Sequence, residues 1–293
     1  MTSTLYGGIE AGGTKFVLGV GPSPTEILAT HIIPTYGPDE TLGQALAWFK
    51  KQGALRAFGI ASFGPVELDR ASSNWGQILN TPKAGWSGCN LAGFFREHLS
   101  IPIGFETDVT GAALGEFYFG AGKDSKSLTY VTIGTGIGGG TVVNGLPLQG
   151  AGHPELGHIY LHRIASDWEF EGICPFHGSC LEGLASGPAI LKRWGSTLSE
   201  LPQHHEAHDQ VAEYIAQACH SIFAMLATQT IVLGGGVMKT PRLLERVERM
   251  TERLDMGYLP ARDDRCIVAP SLGDRSGLVG ALLMAKLADE AAT

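Results

Sequence analysis

Apolar positions along the chain follow two spacings, which predict strands and helices in alternation. Alternating apolar residues over LYGGIE and KFVLGV, on either side of a glycine turn at 11–14, predict a strand, a turn and a second strand. Short apolar runs predict further strands at 58–62 and 101–108. Helical spacing predicts helices at 40–52, 88–99, 109–119, 187–195, 207–229, 241–254 and 276–290. Because strands alternate with helices, the pattern predicts an α/β fold.

The strand–turn–strand pattern at the start of the chain recurs at 127–145. An offset of 127 residues aligns the Gly-Gly-Thr run at 12–14 with that at 139–141. A repeat of this length indicates two lobes built from one unit, although two glycine hairpins of similar composition would give the same match. We predict a first lobe at 1–109, completed by a returning helix at 276–293, and a second lobe at 110–275.

Composition and charge exclude several classes of function. The net charge near −8, from 21 basic and 29 acidic residues, opposes binding to a phosphate backbone, so no nucleic-acid partner is expected. No window reaches the roughly 18 apolar residues of a membrane span, and the N-terminus lacks the pattern of a signal peptide. The five cysteines are a sparse, odd set in 293 residues, which favours free thiols in a reducing cytoplasm.

Glycine is unusually frequent and concentrates in three turns. It makes up 41 of the 293 residues, about twice its usual share. The turns lie in GGIEAGGTK, VTIGTGIGGG and TIVLGGGVM, each after a strand-like run. Without a Cβ, backbone N–H groups can converge on an anion, so two turns are candidates for nucleotide phosphates and the third for the adenosine. The alternative is that each glycine is needed only for a positive φ.

Two other nucleotide-binding motifs fit less well. No segment satisfies the Walker A pattern, because Gly122-Lys123 is followed by Asp124. Residues 134–139 satisfy G-x-G-x-x-G after a strand, but a dinucleotide-binding motif must open a helix. Here it opens the strand-like GTVVNG, so a nicotinamide or flavin site is disfavoured.

A cluster of histidine and cysteine has the spacing of a metal site. Cys174, His177 and Cys180 form a C-x-x-H-x-x-C run, and His158 lies 16 residues upstream. Four such ligands fill a tetrahedron, so the set predicts a closed, structural Zn²⁺ site rather than a water-activating one. The alternatives are buried thiols beside a loop histidine, or a catalytic cysteine. The polar run at 204–208, with three histidines, is interpreted as a solvated helix start.

Three carboxylates are candidates for chemistry on a hydroxyl-bearing substrate. Asp108 ends a predicted strand, where side chains of α/β sheets point into the ligand crevice, and could act as general base. The alternative for Asp108 is a helix N-cap. Glu155 and Glu182 flank the predicted zinc ligands, which would hold the two carboxylates near one another. Such a pair suits vicinal hydroxyls, as in sugars.

Taken together, these residues resemble the ROK family of sugar kinases, within the actin–hexokinase superfamily. The resemblance covers nearly the whole chain and is carried by the loop at 10–15, Thr107-Asp108, 134–140, Glu155-x-Gly-His158, the zinc knuckle at 174–180, 233–236 and Gly277-Leu-Val-Gly280. It implies an α/β, two-lobed, actin/hexokinase-like (ribonuclease H-like) ATPase fold with a structural zinc loop.

The resemblance also implies roles for individual residues. Asp108 would be the catalytic base. The sugar pocket would be lined by Gly64, Thr107, Asp108, Glu155, His158 and Glu182. ATP and Mg²⁺ would be held by Glu10, Gly12, Gly13, Thr14, Lys15, Thr135, Gly136, Pro188, Gly235, Gly236, Val237, Met238 and Lys239. A structural Zn²⁺ would be bound by His158, Cys174, His177 and Cys180.

Three departures from the family pattern refine the expectation. Glu10 stands where the family usually has Asp, which would shift a contact with Mg²⁺. Thr107 stands where many members have Asn, which removes an amide donor and would alter sugar selectivity. The C-x-x-H-x-x-C run replaces the common C-x-C-G-x-x-G-C. This variant, with GIEAGGTKF, resembles the bacterial fructokinase branch.

The function that the resemblance implies is an ATP-dependent hexose kinase, converting D-fructose and ATP to D-fructose 6-phosphate and ADP. The alternatives are a kinase for glucose, mannose or an N-acetylhexosamine, or a non-catalytic sugar-sensing protein. Repressors of the family carry a winged helix before the first glycine loop, which here begins at residue 7. A cytoplasmic homodimer with sugar and ATP as its small-molecule partners, and no membrane partner, is expected.

Overall fold

The structure is a computed structural model that describes residues 5–293. By contacts, the chain divides into two compact units. The first comprises the described residues up to Gly120, together with Pro147–His153 and Asp274–Thr293. The second comprises Ala121–Leu146 and Pro154–Gly273. The lobe boundary predicted between residues 109 and 110 falls inside a helix, Asp108–Phe119.

Strands and helices alternate along the chain, as the sequence predicts. The strands are β1 (Tyr6–Ala11), β2 (Lys15–Gly21), β3 (Ala29–Pro34), β4 (Ala57–Ser62), β5 (Ile103–Thr107), β6 (Ser127–Ile133), β7 (Ile137–Val143), β8 (Leu146–Pro147), β9 (Thr230–Gly234) and β10 (Cys266–Val268). The helices are α1 (Pro38–Lys50), α2 (Leu91–Leu99), α3 (Asp108–Phe119), α4 (Leu181–Ala185), α5 (Gly187–Trp194), α6 (Ala207–Leu226), α7 (Leu243–Asp255) and α8 (Ser276–Ala292). Short 3₁₀ helices lie at Leu156–His158, Ala165–Asp167, Val237–Lys239, Arg262–Asp264 and Gly273–Arg275.

The two units contain mixed five-stranded sheets of the same topology. The first sheet has the order β3-β2-β1-β4-β5, with β1–β2 and β2–β3 antiparallel and β1–β4 and β4–β5 parallel. The second has the order β8-β7-β6-β9-β10, with β6–β7 antiparallel and β6–β9 and β9–β10 parallel. The predicted repeat of one supersecondary unit is therefore confirmed.

The predicted register of that repeat is wrong. The turn of the first hairpin lies at 12–14, and the turn of the second lies at 134–136, an offset of 122 residues. The Gly-Gly-Thr run at 139–141, aligned with 12–14 in the sequence, lies inside β7. The alignment was wrong because β7 itself contains three consecutive glycines, which were matched to the glycines of the first turn.

Aromatic side chains form much of the core of the first unit. Phe58 of β4 is fully buried between Phe49 of α1 and Phe95 of α2, with ring centroids 4.8 Å apart in both pairs. Trp86, in the connection after β4, is also fully buried and packs against Phe16 of β2. This connection, although it lacks regular structure, is therefore anchored in the core.

Small residues bring α3 and α8 into close contact within the first unit. A Cβ at Gly280 of α8 would lie 1.8 Å from the carbonyl oxygen of Gly111 in α3. A Cβ at Gly59 of β4 would lie 1.8 Å from the carbonyl oxygen of Ala281. The close packing predicted for the helix at 109–119 is confirmed, and its partner is the last helix of the chain.

The core of the second unit lies between its sheet and α6. Side chains of β6 and β9, such as Val131 and Ile231, are buried against the apolar face of α6, which includes Tyr214 and Ile215. Helix α7 packs on the same helix. The sequence predicted the helices of this core, but not the edge strands β3 and β10 or the short helix α4. Within residues 5–293, none of the helices combines the length and apolar character needed to cross a membrane.

Candidate nucleotide, sugar and metal sites

The first glycine turn joins β1 to β2, and hydrogen bonds to its carbonyl groups fix its shape. Gly12 N–H donates to the Lys15 carbonyl at 2.9 Å. Thr35 donates its hydroxyl to the Gly12 carbonyl at 2.8 Å and its N–H to the Thr14 carbonyl at 2.9 Å. The N–H groups of Gly13 and Thr14 have no acceptor among the residues that the structure describes. Two adjacent donors of this kind can bind a phosphate oxygen.

The second glycine turn, between β6 and β7, has the same pair of donors. Gly134 N–H donates to the Gly136 carbonyl at 2.9 Å, and Gly187 N–H donates to the Gly134 carbonyl at 2.8 Å. The N–H groups of Thr135 and Gly136 have no acceptor in the described part of the chain. Each unit therefore presents one turn with two adjacent N–H groups that an anion can use.

The third glycine turn follows β9 and adjoins the second one. A Cβ at Gly235 would lie 2.3 Å from the carbonyl oxygen of Ile133, at the end of β6. A Cβ at Gly187 would lie 3.1 Å from the Gly134 carbonyl oxygen and 3.8 Å from the Val237 side chain. The structure thus brings together three segments that sequence analysis assigned to the nucleotide, namely 135–136, the start of α5 at Pro188, and 235–239.

A positive φ explains the need for glycine in only one of these three turns. Gly235 has a φ of +92°, which only glycine adopts readily. Gly12 and Gly136 do not lie in that region. At Gly12 a Cβ would lie 2.8 Å from the Lys15 carbonyl oxygen, and at Gly136 it would lie 2.8 Å from Oε2 of Glu182. The close approach of neighbouring oxygens, rather than backbone conformation, excludes larger residues there.

Glu10, near the end of β1, carries a buried carboxylate without a complete set of partners. Its Oε2 has no hydrogen-bond partner among the described residues. Burial, together with the negative charges of Asp108 and Asp274, raises the pKa of Glu10 to about 7, although Lys15 opposes the shift. A carboxylate oxygen lacking a donor, beside two further carboxylates, fits a hard cation such as Mg²⁺, which prefers oxygen ligands.

Asp108 is the first residue of α3 and directly follows β5. The N-cap of the helix is Thr107, whose buried hydroxyl accepts the Thr110 N–H at 3.1 Å and donates to the Thr110 hydroxyl at 2.8 Å. Asp108 Oδ1 accepts the Val109 N–H at 2.9 Å. The alternative reading of Asp108 as the N-cap is therefore wrong, and its half-buried carboxylate lies where the sheet ends.

Glu182, in the first turn of α4, lies against the second glycine turn. Its Oε2 accepts the Ile137 N–H at 2.9 Å. This contact joins a carboxylate that sequence analysis assigned to the sugar to the turn assigned to the phosphates. The other oxygen of Glu182 accepts no hydrogen bond from this turn.

The predicted zinc ligands come together in the second unit. The candidate ligand atoms of His158, Cys174, His177 and Cys180 all lie within 4.8 Å of one another. Nδ1 of His158 lies 3.3 Å from Nδ1 of His177 and 3.7 and 3.6 Å from Sγ of Cys174 and Cys180. A tetrahedral zinc at its usual bond lengths separates two nitrogens by about 3.3 Å and a nitrogen from a sulfur by about 3.6 Å. The set fits such an ion.

The backbone around these residues is a tight knuckle. Cys174 and Gly178 exchange hydrogen bonds of 3.1 and 2.9 Å, and Gly178 has a φ of +56°. Leu181 N–H donates to the Ile159 carbonyl at 3.0 Å, which joins the two halves of the ligand set. Burial raises the pKa of the Cys180 thiol to about 11, so that thiol keeps its proton at neutral pH unless a cation displaces it.

Comparison with known proteins decides the family. The sequence model of the ROK family matches residues 6–288. The chain belongs to the ROK family. It is 43% identical to the fructokinase of Zymomonas mobilis over 97% of both chains, and 43% identical to the fructokinase of Streptococcus mutans over 97% of this chain and 98% of the other. The structure of the ROK hexokinase of Thermus thermophilus is similar with a TM-score of 0.79 and 26% identity, covering 98% of this chain and all of the other.

The family match identifies the fold as that of ROK sugar kinases, with two mixed sheets as in hexokinase-like kinases. The resemblance to the fructokinase branch, inferred from the C-x-x-H-x-x-C run and GIEAGGTKF, is confirmed by the relatives. The histidine run at 204–208 does begin a helix, α6, but His208 is fully buried rather than solvated.

Two contacts between distant segments of the first unit were not predicted from the sequence. His153 Nε2 accepts the Val66 N–H at 3.1 Å, next to Gly64, which lies in the loop after β4. Gln149 donates to the carboxylate of Glu106, two residues before Asp108. Both partners in each pair belong to the first unit. The segment 147–153 therefore contacts both the loop that carries Gly64 and the end of β5. The spacing of residues along the sequence does not predict such contacts, because the partners are 87 and 43 residues apart.

A buried ion pair supports the loop before the zinc knuckle. Asp167 lies 3.1 Å from the guanidinium of Arg193, and both side chains are almost fully buried. Tyr214 donates its hydroxyl to Asp167 at 2.7 Å, and Arg193 stacks over Phe170 at 4.0 Å from the ring centroid. The loop is thereby anchored to α5 and α6 by contacts that need no metal.

Proposed function

We propose that this protein is an ATP-dependent fructokinase, which phosphorylates the primary 6-hydroxyl of D-fructose. The observation that carries the proposal is the 43% identity to the fructokinase of Zymomonas mobilis over 97% of both chains. The two glycine turns and the carboxylate at the start of α3 support it, because phosphoryl transfer needs phosphate-binding donors and a group that accepts the hydroxyl proton.

Asp108 is the proposed general base. Its carboxylate takes the proton of the fructose 6-hydroxyl while that oxygen forms a bond to the γ-phosphorus of ATP. The bond from this phosphorus to the bridging oxygen breaks, and ADP leaves with the electron pair. The Thr107 hydroxyl is hydrogen-bonded to Thr110 and caps α3, so it fixes the start of the helix whose first residue is Asp108.

Each unit carries its own proposed groups for nucleotide phosphates. In the first unit these are the N–H groups of Gly13 and Thr14, with Gly12 and Lys15 completing the turn. In the second unit they are the N–H groups of Thr135 and Gly136. The residues proposed for the adenosine are Pro188, Gly235, Gly236, Val237, Met238 and Lys239. Glu10 is the residue that would hold Mg²⁺, which neutralises charge on the phosphates when it is bound.

Carboxylates and an imidazole are proposed to bind the sugar hydroxyls. The proposed contact in the first unit is Gly64, and those in the second unit are Glu155 and Glu182. His158 serves both sites, because its Nδ1 belongs to the zinc set and its Nε2 remains for a sugar hydroxyl. The zinc, held by His158, Cys174, His177 and Cys180, stabilises the loop and takes no part in the transfer.

The proposal is tested by ADP release with ATP, Mg²⁺ and a panel of hexoses. We expect fructose to be preferred over glucose, mannose and N-acetylhexosamines. Preference for one of those sugars would keep the kinase and reject the fructose assignment. No sugar-dependent ADP from folded, zinc-loaded protein would reject the kinase and favour a sugar-sensing protein.

A substitution of the proposed base sharpens this test. Asp108→Asn should lower kcat by roughly 10³-fold, within the range of general-base effects, with fructose affinity little changed by calorimetry. Asp39→Asn, which also removes a carboxylate from the first turn of a helix, is the matched control and should keep full activity. An Asp108→Asn enzyme within tenfold of the parent would remove Asp108 from the role of base.

We further propose a cytoplasmic homodimer, as the family resemblance implies. The five cysteines are all free thiols, which supports a reducing compartment. Sedimentation equilibrium of the purified chain tests the dimer.

A further inference from the structure

We propose that Lys83 supplies a second positive charge to the transferring phosphate, in addition to Lys15. This inference rests on the proposed kinase function. Lys83 lies in the connection between β4 and α2, 70 residues from the first glycine turn, and its ammonium donates a hydrogen bond to the carbonyl of Gly13. Both residues belong to the first unit.

The turn does not need this lysine to hold its shape. Thr35 already binds the carbonyl groups of Gly12 and Thr14, and the Gly12 N–H closes the turn on Lys15. Gly13 has open space where a side chain would stand, since no atom lies within 4 Å of its ideal Cβ. The ammonium is therefore bound to a turn whose shape is already fixed and whose Gly13 and Thr14 N–H groups have no acceptor among the described residues.

Lys83 is held in place by a rigid connection. Trp86, three residues later, is fully buried and packs edge-on or tilted against Phe16 and Phe63, with ring centroids 5.5 and 5.4 Å away. Its indole N–H donates to the Tyr36 carbonyl at 2.9 Å. An ammonium has three N–H donors, and Gly13 is its one acceptor within residues 5–293. Two donors of a half-buried, preorganised cation thus remain for a ligand.

Carboxylates near the turn favour a fixed cation there, in addition to the Mg²⁺ proposed at Glu10. Glu10 interacts electrostatically with Asp108 and with Asp274, and Lys15 opposes the effect of these negative charges. A negative field of this kind opposes an incoming triphosphate. Lys83 would place N–H donors on γ-phosphate oxygens and keep its own proton throughout, so it stabilises the charge of the transferring group without a proton-transfer step.

The test separates charge from hydrogen bonding. Lys83→Arg keeps the charge, Lys83→Gln keeps an N–H donor for the Gly13 carbonyl, and Lys83→Met keeps neither. Lys51→Met, at an exposed lysine that follows α1, is the matched control. Circular dichroism would establish folding, and calorimetry would give affinities for Mg·ADP and for a non-hydrolysable Mg·ATP analogue that carries a γ-phosphate.

We expect Lys83→Met and Lys83→Gln to lower the affinity for the ATP analogue about tenfold or more, and the affinity for ADP less than about threefold. Their kcat should fall by roughly 10- to 100-fold with little change in KM for the sugar, and Lys83→Arg should recover most of both losses. Recovery by Lys83→Gln instead, or equal weakening of both nucleotides, would reduce Lys83 to a support of the turn and overturn the proposal. Unchanged affinities and rates would overturn it too.

Failure of the proposed function would look different. If the parent protein binds the ATP analogue but phosphorylates another hexose, the comparison of Lys83 variants runs unchanged with that sugar. A parent that binds neither nucleotide would reject the kinase itself, before any variant is made.

Discussion

The two units of the protein repeat one sheet topology but surround the equivalent turns with different groups. The turn at 12–14 is bordered by Thr35, Lys83 and the carboxylate of Glu10. The turn at 134–136 is bordered by backbone of α5 and by Glu182. The sheet order sets where each turn lies, whereas the neighbours decide what a bound phosphate meets.

The long irregular connections also follow different strands. In the first unit the connection between β4 and α2 carries Gly64, Lys83 and the buried Trp86. In the second unit the segment from Pro154 to the start of α4 carries Glu155 and the candidate zinc ligands. The candidate functional residues of the two units therefore lie in non-equivalent connections, one anchored in an aromatic core and the other folded around the candidate zinc ligands.

The first unit is sensitive to a change in the close packing of α3 on α8. Gly280→Ala would put a Cβ 1.8 Å from the Gly111 carbonyl, so we expect unfolding free energy to fall by more than about 3 kcal/mol. Gly43→Ala in α1, where no atom lies within 4 Å of the ideal Cβ, is the matched control and should stabilise by roughly 0.5–1 kcal/mol. Urea unfolding measures both. Equal midpoints would show that α3 and α8 do not pack as closely as described.

The stability of the second unit, unlike that of the first, is expected to depend on a bound zinc ion. Cys180→Ser should abolish the binding of one zinc per chain, measured by mass spectrometry of the metal content, and lower the Tm by on the order of 10 °C. Hydrogen exchange should increase around the knuckle and α4 and remain unchanged in β1 to β5. Cys266→Ser, at an exposed thiol outside the ligand set, is the control. Equal zinc content in both variants would exclude the proposed site.

The smallest effect concerns pH and the first unit. Burial raises the pKa of Glu106 to about 7, although its contacts with the Thr107 backbone, Gln149 and Arg70 oppose the shift. Between about pH 4.5 and 7 the folded protein therefore retains a proton that the unfolded chain has lost. Stability is then full below this range and falls as pH rises through it.

Glu106→Gln should remove roughly 1–2 kcal/mol of that decline between pH 5 and pH 7.5 in urea unfolding. Glu97→Gln, at an exposed position of α2, should leave the decline unchanged. A parent protein as stable at pH 7.5 as at pH 5 would contradict the buried, protonated state of Glu106.

The sequence predicted the parts of the molecule that depend on local patterns. The spacing of His158, Cys174, His177 and Cys180 predicted a cluster that the fold brings together, because three of the four lie on one short knuckle. The main helices and the inner strands were also predicted, since their apolar periodicity is strong. The register of the repeat was not, because glycines occur both in the turn at 134–136 and within β7.

Contacts between distant segments could not be predicted from any single pattern. Lys83 reaches Gly13 only because the connection around Trp86 is buried, and His153 reaches Val66 only because the chain returns to the first unit at 147–153. The role of Thr107 as helix N-cap, rather than Asp108, depends on where β5 ends. A shift of one residue there is beyond the accuracy of apolar spacing.

The position of α8 has a consequence for protein synthesis. Helix α8 packs on α3 and β4 through glycines, yet the whole second unit is translated between α3 and α8. While the ribosome synthesises that unit, the small-residue surface of α3 and β4 is not yet covered by α8. The amino-terminal unit, although it is synthesised first, can therefore complete its packing only after α8 has been synthesised.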